Sequence, residues 1–184
     1  MSLYSIALFL HVVGAMLLFV TLTIEGIALR QLHRAATAEA ARGAAAMLRL
    51  NRIAGPMSAL GVLIPGLYMT ATTWGWVGWI VVALVSWVLV AALGAFNGIR
   101  ILALERNQAL LTGVRNPMFL ISWLTRIGLA LGVVFLMTAR PAAVVSVFAI
   151  LVAATAGAAL GVGLSKVRRT PRTDEGHERE GQVV

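Results

Sequence analysis

The chain has 184 residues, 60% of them hydrophobic and 12% charged, with a formal net charge of +8. Soluble domains carry about 25% charged residues, and a soluble fold of this size has too little interior to hide so much apolar surface. The composition therefore excludes an ordinary soluble protein and indicates a single-domain integral membrane protein.

The absence of cysteine removes disulfides, thiolate metal sites and cysteine nucleophiles. The arginines fall between apolar runs, where orientation in a membrane explains them and nucleic-acid binding does not.

The first apolar stretch, Leu3–Leu29, is long enough to cross a bilayer and holds two ionisable side chains, His11 and Glu25. It is longer than the core of a cleavable signal and has no basic region before it, so it reads as a span. At about 100° per residue, Tyr4, Ala7, His11, Gly14, Ala15, Leu18, Leu22, Glu25 and Gly26 share one small, polar face. Phe9, Val13, Leu17, Val20, Ile24 and Ile27 form a bulky apolar face opposite. Polar groups in lipid turn towards protein, so the His11/Glu25 edge is expected to face inward.

Four further stretches reach the roughly 20 residues needed to cross a hydrocarbon core of about 30 Å: Ile53–Thr73, Val77–Ile99, Met118–Thr138 and Ala142–Ser165. The expected fold is an all-α, polytopic bundle of five spans over residues 1–165. The polar, basic residues 166–184 read as a disordered cytoplasmic tail.

The connections set the orientation. The first carries Arg30, Arg34, Arg42, Arg49 and Arg52. The turn around Trp74-Gly75-Trp76 carries no charge, and the third connection carries Arg100, Arg106 and Arg115. The positive-inside rule then places the N-terminus out and the C-terminus in. Trp74, Trp76 and Trp79 read as an interfacial anchor. The alanine-rich stretch from Ala35 to Leu50 reads as a helix lying at the inner interface or running on into the second span. The basic loops and tail offer contacts to anionic lipid.

The second span is irregular. Pro56 falls in its first turn. Pro65-Gly66 lies deeper, where proline removes a backbone hydrogen bond and kinks the helix, leaving a carbonyl in need of a donor. A structural kink and a binding site built on broken helix both fit. Three spans contain Gly-x-x-x-Gly (Gly94–Gly98, Gly128–Gly132 and Gly157–Gly161). That spacing suits close helix packing within the chain or a homo-oligomer.

Two constellations carry possible chemistry. His11, Ser86 and Pro65 come to similar depths. The imidazole is expected to hydrogen-bond Ser86 or a freed span-two carbonyl, or else to serve as a haem or metal ligand or a proton carrier. No second histidine shares that layer. A second axial haem ligand would have to be a methionine such as Met69 or Met137. Glu25 and Arg126 are expected to pair, helped by Asn97, because an unpaired charge within the bilayer is costly. The pair can fix helix register or form part of a proton or ion path. No phosphate-cradling loop and no His-Glu-x-x-His is present, so no catalytic residue is assigned.

The run Leu10-His11-Val12-Val13-Gly14-Ala15-Met16-Leu17-Leu18-Phe19, with the later Pro65-Gly66-Leu67-Tyr68, resembles a family of small bacterial integral membrane proteins of unknown function. More distantly it is similar to the copper-resistance D-type and HemJ-like membrane proteins. The resemblance covers about the first 100 residues. It implies a bacterial inner-membrane location and, through His11, haem, porphyrin or copper chemistry. The residues themselves favour a scaffold or accessory protein without its own catalysis. The alternatives are a haem- or porphyrin-binding redox protein using His11 and a small transporter with a site near Pro65.

Overall fold

The computed structural model describes residues 2–35, 37–107 and 116–167. Among these residues the chain is helical, with five helices long and apolar enough to cross a membrane. Helix α1 spans Leu3–Arg34 and α2 spans Ala38–Met69. A π-helical turn, Thr70–Trp74, follows α2. Helix α3 is Gly78–Arg106, α4 is Pro117–Ala139 and α5 is Ala143–Val167. Residues 108–115 and 168–184 lie outside the described residues. The last stretch of the arginine-bearing third connection, and nearly all of the expected tail, fall there.

Local chemistry fixes the ends. The Ser2 hydroxyl accepts from the Ser5 N–H at 3.2 Å and the Thr37 hydroxyl from the Ala40 N–H at 3.3 Å, which caps α1 and α2. Asn116 accepts from the Met118 N–H at 3.0 Å, with Pro117 in the first helical position, where its missing N–H costs nothing. Helix α4 stops at Arg140 (φ 48°, ψ 49°), whose N–H returns to the Leu136 carbonyl at 2.9 Å. Gly75, at φ 68°, supplies the left-handed residue that turns the chain from α2 towards α3.

Of the two readings of Ala35–Leu50, the structure takes the continuous one. Helix α2 begins fifteen residues before Ile53, about 22 Å further out at the α-helical rise. This overhang packs. Ala28, Leu29 and Leu32 of α1, Ala41, Ala44 and Leu48 of α2, Ile101 of α3 and Phe119 of α4 form one buried cluster at the end where the arginines collect. Alanine at these positions lets α1 and α2 lie close, which accounts for a helix where hydropathy is low. This end is the basic end, and the other is the tryptophan end.

The bundle has two units. Helices α1 and α2 pack along much of their length, and α4 packs on both α3 and α5. The second unit has its own core of Ala83, Val90, Leu129, Leu136 and Ile150. Between the units contact is sparse: α1 meets α4, and α2 meets α3, over short stretches. Large apolar side chains cover the outside, among them Phe9 (66% exposed), Met16 (64%), Val144 (78%) and Phe148 (69%). Apolar surface on that scale is unstable in water and suited to acyl chains.

Two of the Gly-x-x-x-Gly faces are used within the chain. A methyl group placed on Gly132 would lie 2.9 Å from Ile150 Cδ1, and one on Gly161 would lie 2.7 Å from Ile121 Cα. Helices α4 and α5 therefore cover one another along these glycines. Gly94 and Gly98 on α3 behave differently. Gly94 meets the Arg126 guanidinium, and Gly98 has no atom within 4 Å of a Cβ position. At the tryptophan end, the Arg140 guanidinium lies 4.4 Å over the Trp74 ring, which packs edge-on against Trp79 with ring centroids 6.3 Å apart. The arginine in an otherwise uncharged turn thus rests on an aromatic face.

Candidate functional site

The sparse contact between α1 and α4 is polar. Glu25, facing inward with Leu22 and Ala28 on the small face of α1, accepts from Arg126 Nη1 at 2.5 Å. The two side chains are 6% and 10% exposed, so the ion pair is buried. One turn away, the Trp123 indole N–H donates to the Leu22 carbonyl at 2.8 Å. The indole lies on Gly26, where any Cβ would collide with it. A small residue on one helix, a large one on the other and two hydrogen bonds across thus join the two units.

Asn97 does not take part in the pair. It is 2% exposed, and its Nδ2 has no hydrogen-bond partner among the described residues. The expectation that it supports Glu25 and Arg126 is corrected in that respect. Equal depth on α3 gives no information about which way the amide turns. The neighbour that shapes the arginine is Gly94: a Cβ there would lie 2.7 Å from Arg126 Nη2.

His11 lies on the α1–α2 seam. Its Nδ1 is 2.8 Å from the Val62 carbonyl oxygen. A carbonyl only accepts, so Nδ1 carries a proton and donates; in the neutral form of the ring the lone pair is therefore on Nε2. Pro65 deprives the Gly61 carbonyl of its intrahelical donor, so the carbonyl that His11 binds belongs to the next residue. Gly14, one turn along α1, faces the Gly61 carbonyl group directly. Gly66 makes room for the imidazole, since a Cβ there would approach its Nδ1 and Cε1 to 3.2 Å.

Ser86, the other expected partner of His11, donates to Val82 in its own helix at 2.8 Å. Of the methionines considered as a second haem ligand, Met69 is buried (7% exposed) and Met137 is exposed (37%). Among the described residues, no three His, Cys, Asp or Glu side chains gather as a metal site would require.

The sparse contact between α2 and α3 leaves a cavity of about 540 Å³. Its walls are largely apolar and small: Gly55, Pro56, Ala59 and Leu60 on α2, and Trp87, Ala91, Gly94, Ala95 and Gly98 on α3. Leu18, Glu25 and Arg126 form its back, and Asn51 and Arg52 lie towards the basic end. Pro56 lines this cavity, whereas His11 and Pro65 do not.

Three features were beyond sequence reasoning: the Trp123–Leu22 bond, the identity of the Val62 carbonyl, and the cavity with Asn51 and Arg52. The first two use backbone acceptors, which every residue possesses. The third is a gap between helices and has no residue signature.

No protein-family model, curated protein or solved structure matches the chain.

Proposed function

We propose that this is a small accessory or scaffold protein of a bacterial inner membrane, without catalysis of its own, with its N-terminus outside and its C-terminus inside. The single observation that carries the reading is the packed overhang at the basic end. Helices α1, α2 and α3 continue past their apolar stretches around one shared core, and the Arg49–Glu105 ion pair at 3.2 Å ties α2 to α3 there. This builds a packed basic platform on one face of the membrane, suited to anionic lipid or a partner surface. The buried polar groups support the same reading, because they hold helices together.

The orientation rests on the distribution of arginine. Reporter fusions after Arg115 and after Arg169 are expected to report cytoplasm, and a fusion at Gly75 the outside. A cytoplasmic Gly75 would overturn the map, since every connection shares its parity.

A second reading is favoured by the geometry of His11. The Nδ1–H bond to Val62 holds the ring in the tautomer that leaves Nε2 able to bind a haem iron or a metal, as the distant resemblance suggests. The visible spectrum of protein purified in mild detergent separates the two. The scaffold reading predicts no Soret band. A Soret band lost in His11→Ala would replace it with the haem reading. If His11 is structural, His11→Leu loses the bond to Val62, on the order of 1 kcal/mol. His11→Asn or His11→Gln, which keep a donor, lose less. Thermal unfolding in detergent reads this order. A third reading, a small transporter, would need its site moved from Pro65 to the cavity beside Pro56, nine residues earlier on α2.

A further inference from the structure

The Glu25–Arg126 joint between the two units forms part of the back of the cavity between α2 and α3 but does not fill it. On α2 it runs from Leu48 to Leu60, a length of about 18 Å at the helical rise. It therefore begins at the basic end and reaches towards the middle of the bundle. Its volume of about 540 Å³ falls within the roughly 300–1,000 Å³ range of small-molecule sites.

Two residues of its lining, Arg126 and Asn51, each carry a buried polar atom, Nε and Oδ1, that has no hydrogen-bond partner among the described residues. Arg126 is buried, 8% exposed as a whole residue, and its guanidinium packs against Gly94, itself part of the wall. Such groups cost free energy until something pairs with them. Charge points the same way. Glu25 and Arg126 neutralise each other, and Arg49 is taken by Glu105. Arg52 is exposed at the mouth and in neither ion pair.

We propose that this groove binds one anionic phospholipid from the leaflet at the basic end. One acyl chain lies along the apolar wall and the phosphate meets Arg52 at the mouth. An ester oxygen accepts from Arg126 Nε. Asn51, whose amide oxygen and nitrogen exchange places by a flip, turns its Nδ2 to the headgroup. The phosphate and ester oxygens, which only accept hydrogen bonds, thereby satisfy both orphaned groups. The cytoplasmic identity of the leaflet follows from the orientation proposed above. The binding itself does not depend on that orientation, nor on the scaffold reading.

The test uses the full chain purified in mild detergent, with its thermal unfolding followed as phosphatidylglycerol, phosphatidylcholine or inorganic phosphate is added. Phosphatidylglycerol is expected to raise the midpoint saturably, with half-saturation about fivefold below that of phosphatidylcholine, as one arginine contact to an anionic lipid would give. Arg52→Gln should abolish the preference. Gly98→Leu and Gly55→Leu each fill the groove without meeting any atom at the Cβ. Both should unfold cooperatively and lose the response to either lipid. Gly163→Leu, equally open at its Cβ and away from the groove, should keep it.

Equal responses to the two lipids in the parent would overturn the proposal. So would a full response in both groove-filling variants, which would assign the effect to the basic surface. An equal response to inorganic phosphate would assign it to a free-anion site and overturn it as well.

Discussion

Glu25→Gln is expected to cost about 3–5 kcal/mol, because it leaves the Arg126 guanidinium buried without its counter-charge. Arginine cannot shed that charge, and the Gly94 backbone against it leaves little room to swing away. For a chain of this length the loss corresponds to a fall in unfolding midpoint on the order of 10 °C. Arg126→Gln removes the same contact from the other side and should also destabilise. Gly94→Ala tests the packing of the arginine without touching either charge. Its methyl would lie 2.7 Å from Nη2, so it should lower the midpoint by less than Glu25→Gln. Thermal unfolding in mild detergent measures all three.

The second large effect is expected at the α1–α2 seam, and it is asymmetric. A methyl on Gly14 would lie 2.5 Å from the Gly61 carbonyl carbon and 2.8 Å from the Val62 nitrogen, both backbone atoms that cannot rotate aside. Gly14→Ala must push the helices apart, lengthening the His11–Val62 hydrogen bond as it does so. The expected cost is about 1–3 kcal/mol, as for overpacking generally. A methyl on Gly61 meets only the Gly14 Cα, at 3.5 Å, an ordinary contact. Gly61→Ala should therefore be nearly neutral. Equal losses from the two would mean that the seam is not built as described.

Much of the fold was legible because lipid imposes a simple rule. A chain crossing a bilayer satisfies its backbone within helices, so the apolar lengths mark the spans. The inward face of α1 was legible for the same reason. Glu25 and Gly14 are buried, whereas Phe9, Leu17, Val20 and Ile27 are exposed. The helical overhang of α2 was less clear. Its alanines have little hydropathy, and only packing against Leu29, Leu32 and Ile101 decides that they continue the span.

The pairing of Glu25 with Arg126 followed from the cost of lone charges, which acts whatever the helix arrangement. The part given to Asn97 did not follow. Depth along an axis says nothing about rotation about it, so a side chain at the right height can still point elsewhere. The groove was hidden altogether, because it is made by two helices failing to touch.

Glu25 and Arg126 act as one joint between the α1–α2 pair and the α3–α5 unit. The most direct measurement is the double-mutant cycle formed by Glu25→Gln, Arg126→Gln and the two together, read as unfolding free energies in mild detergent. Coupling predicts that the double variant loses less than the sum of the single losses, by about 0.5–3 kcal/mol. Strict additivity would show that the two charges do not act on one another and would contradict the joint.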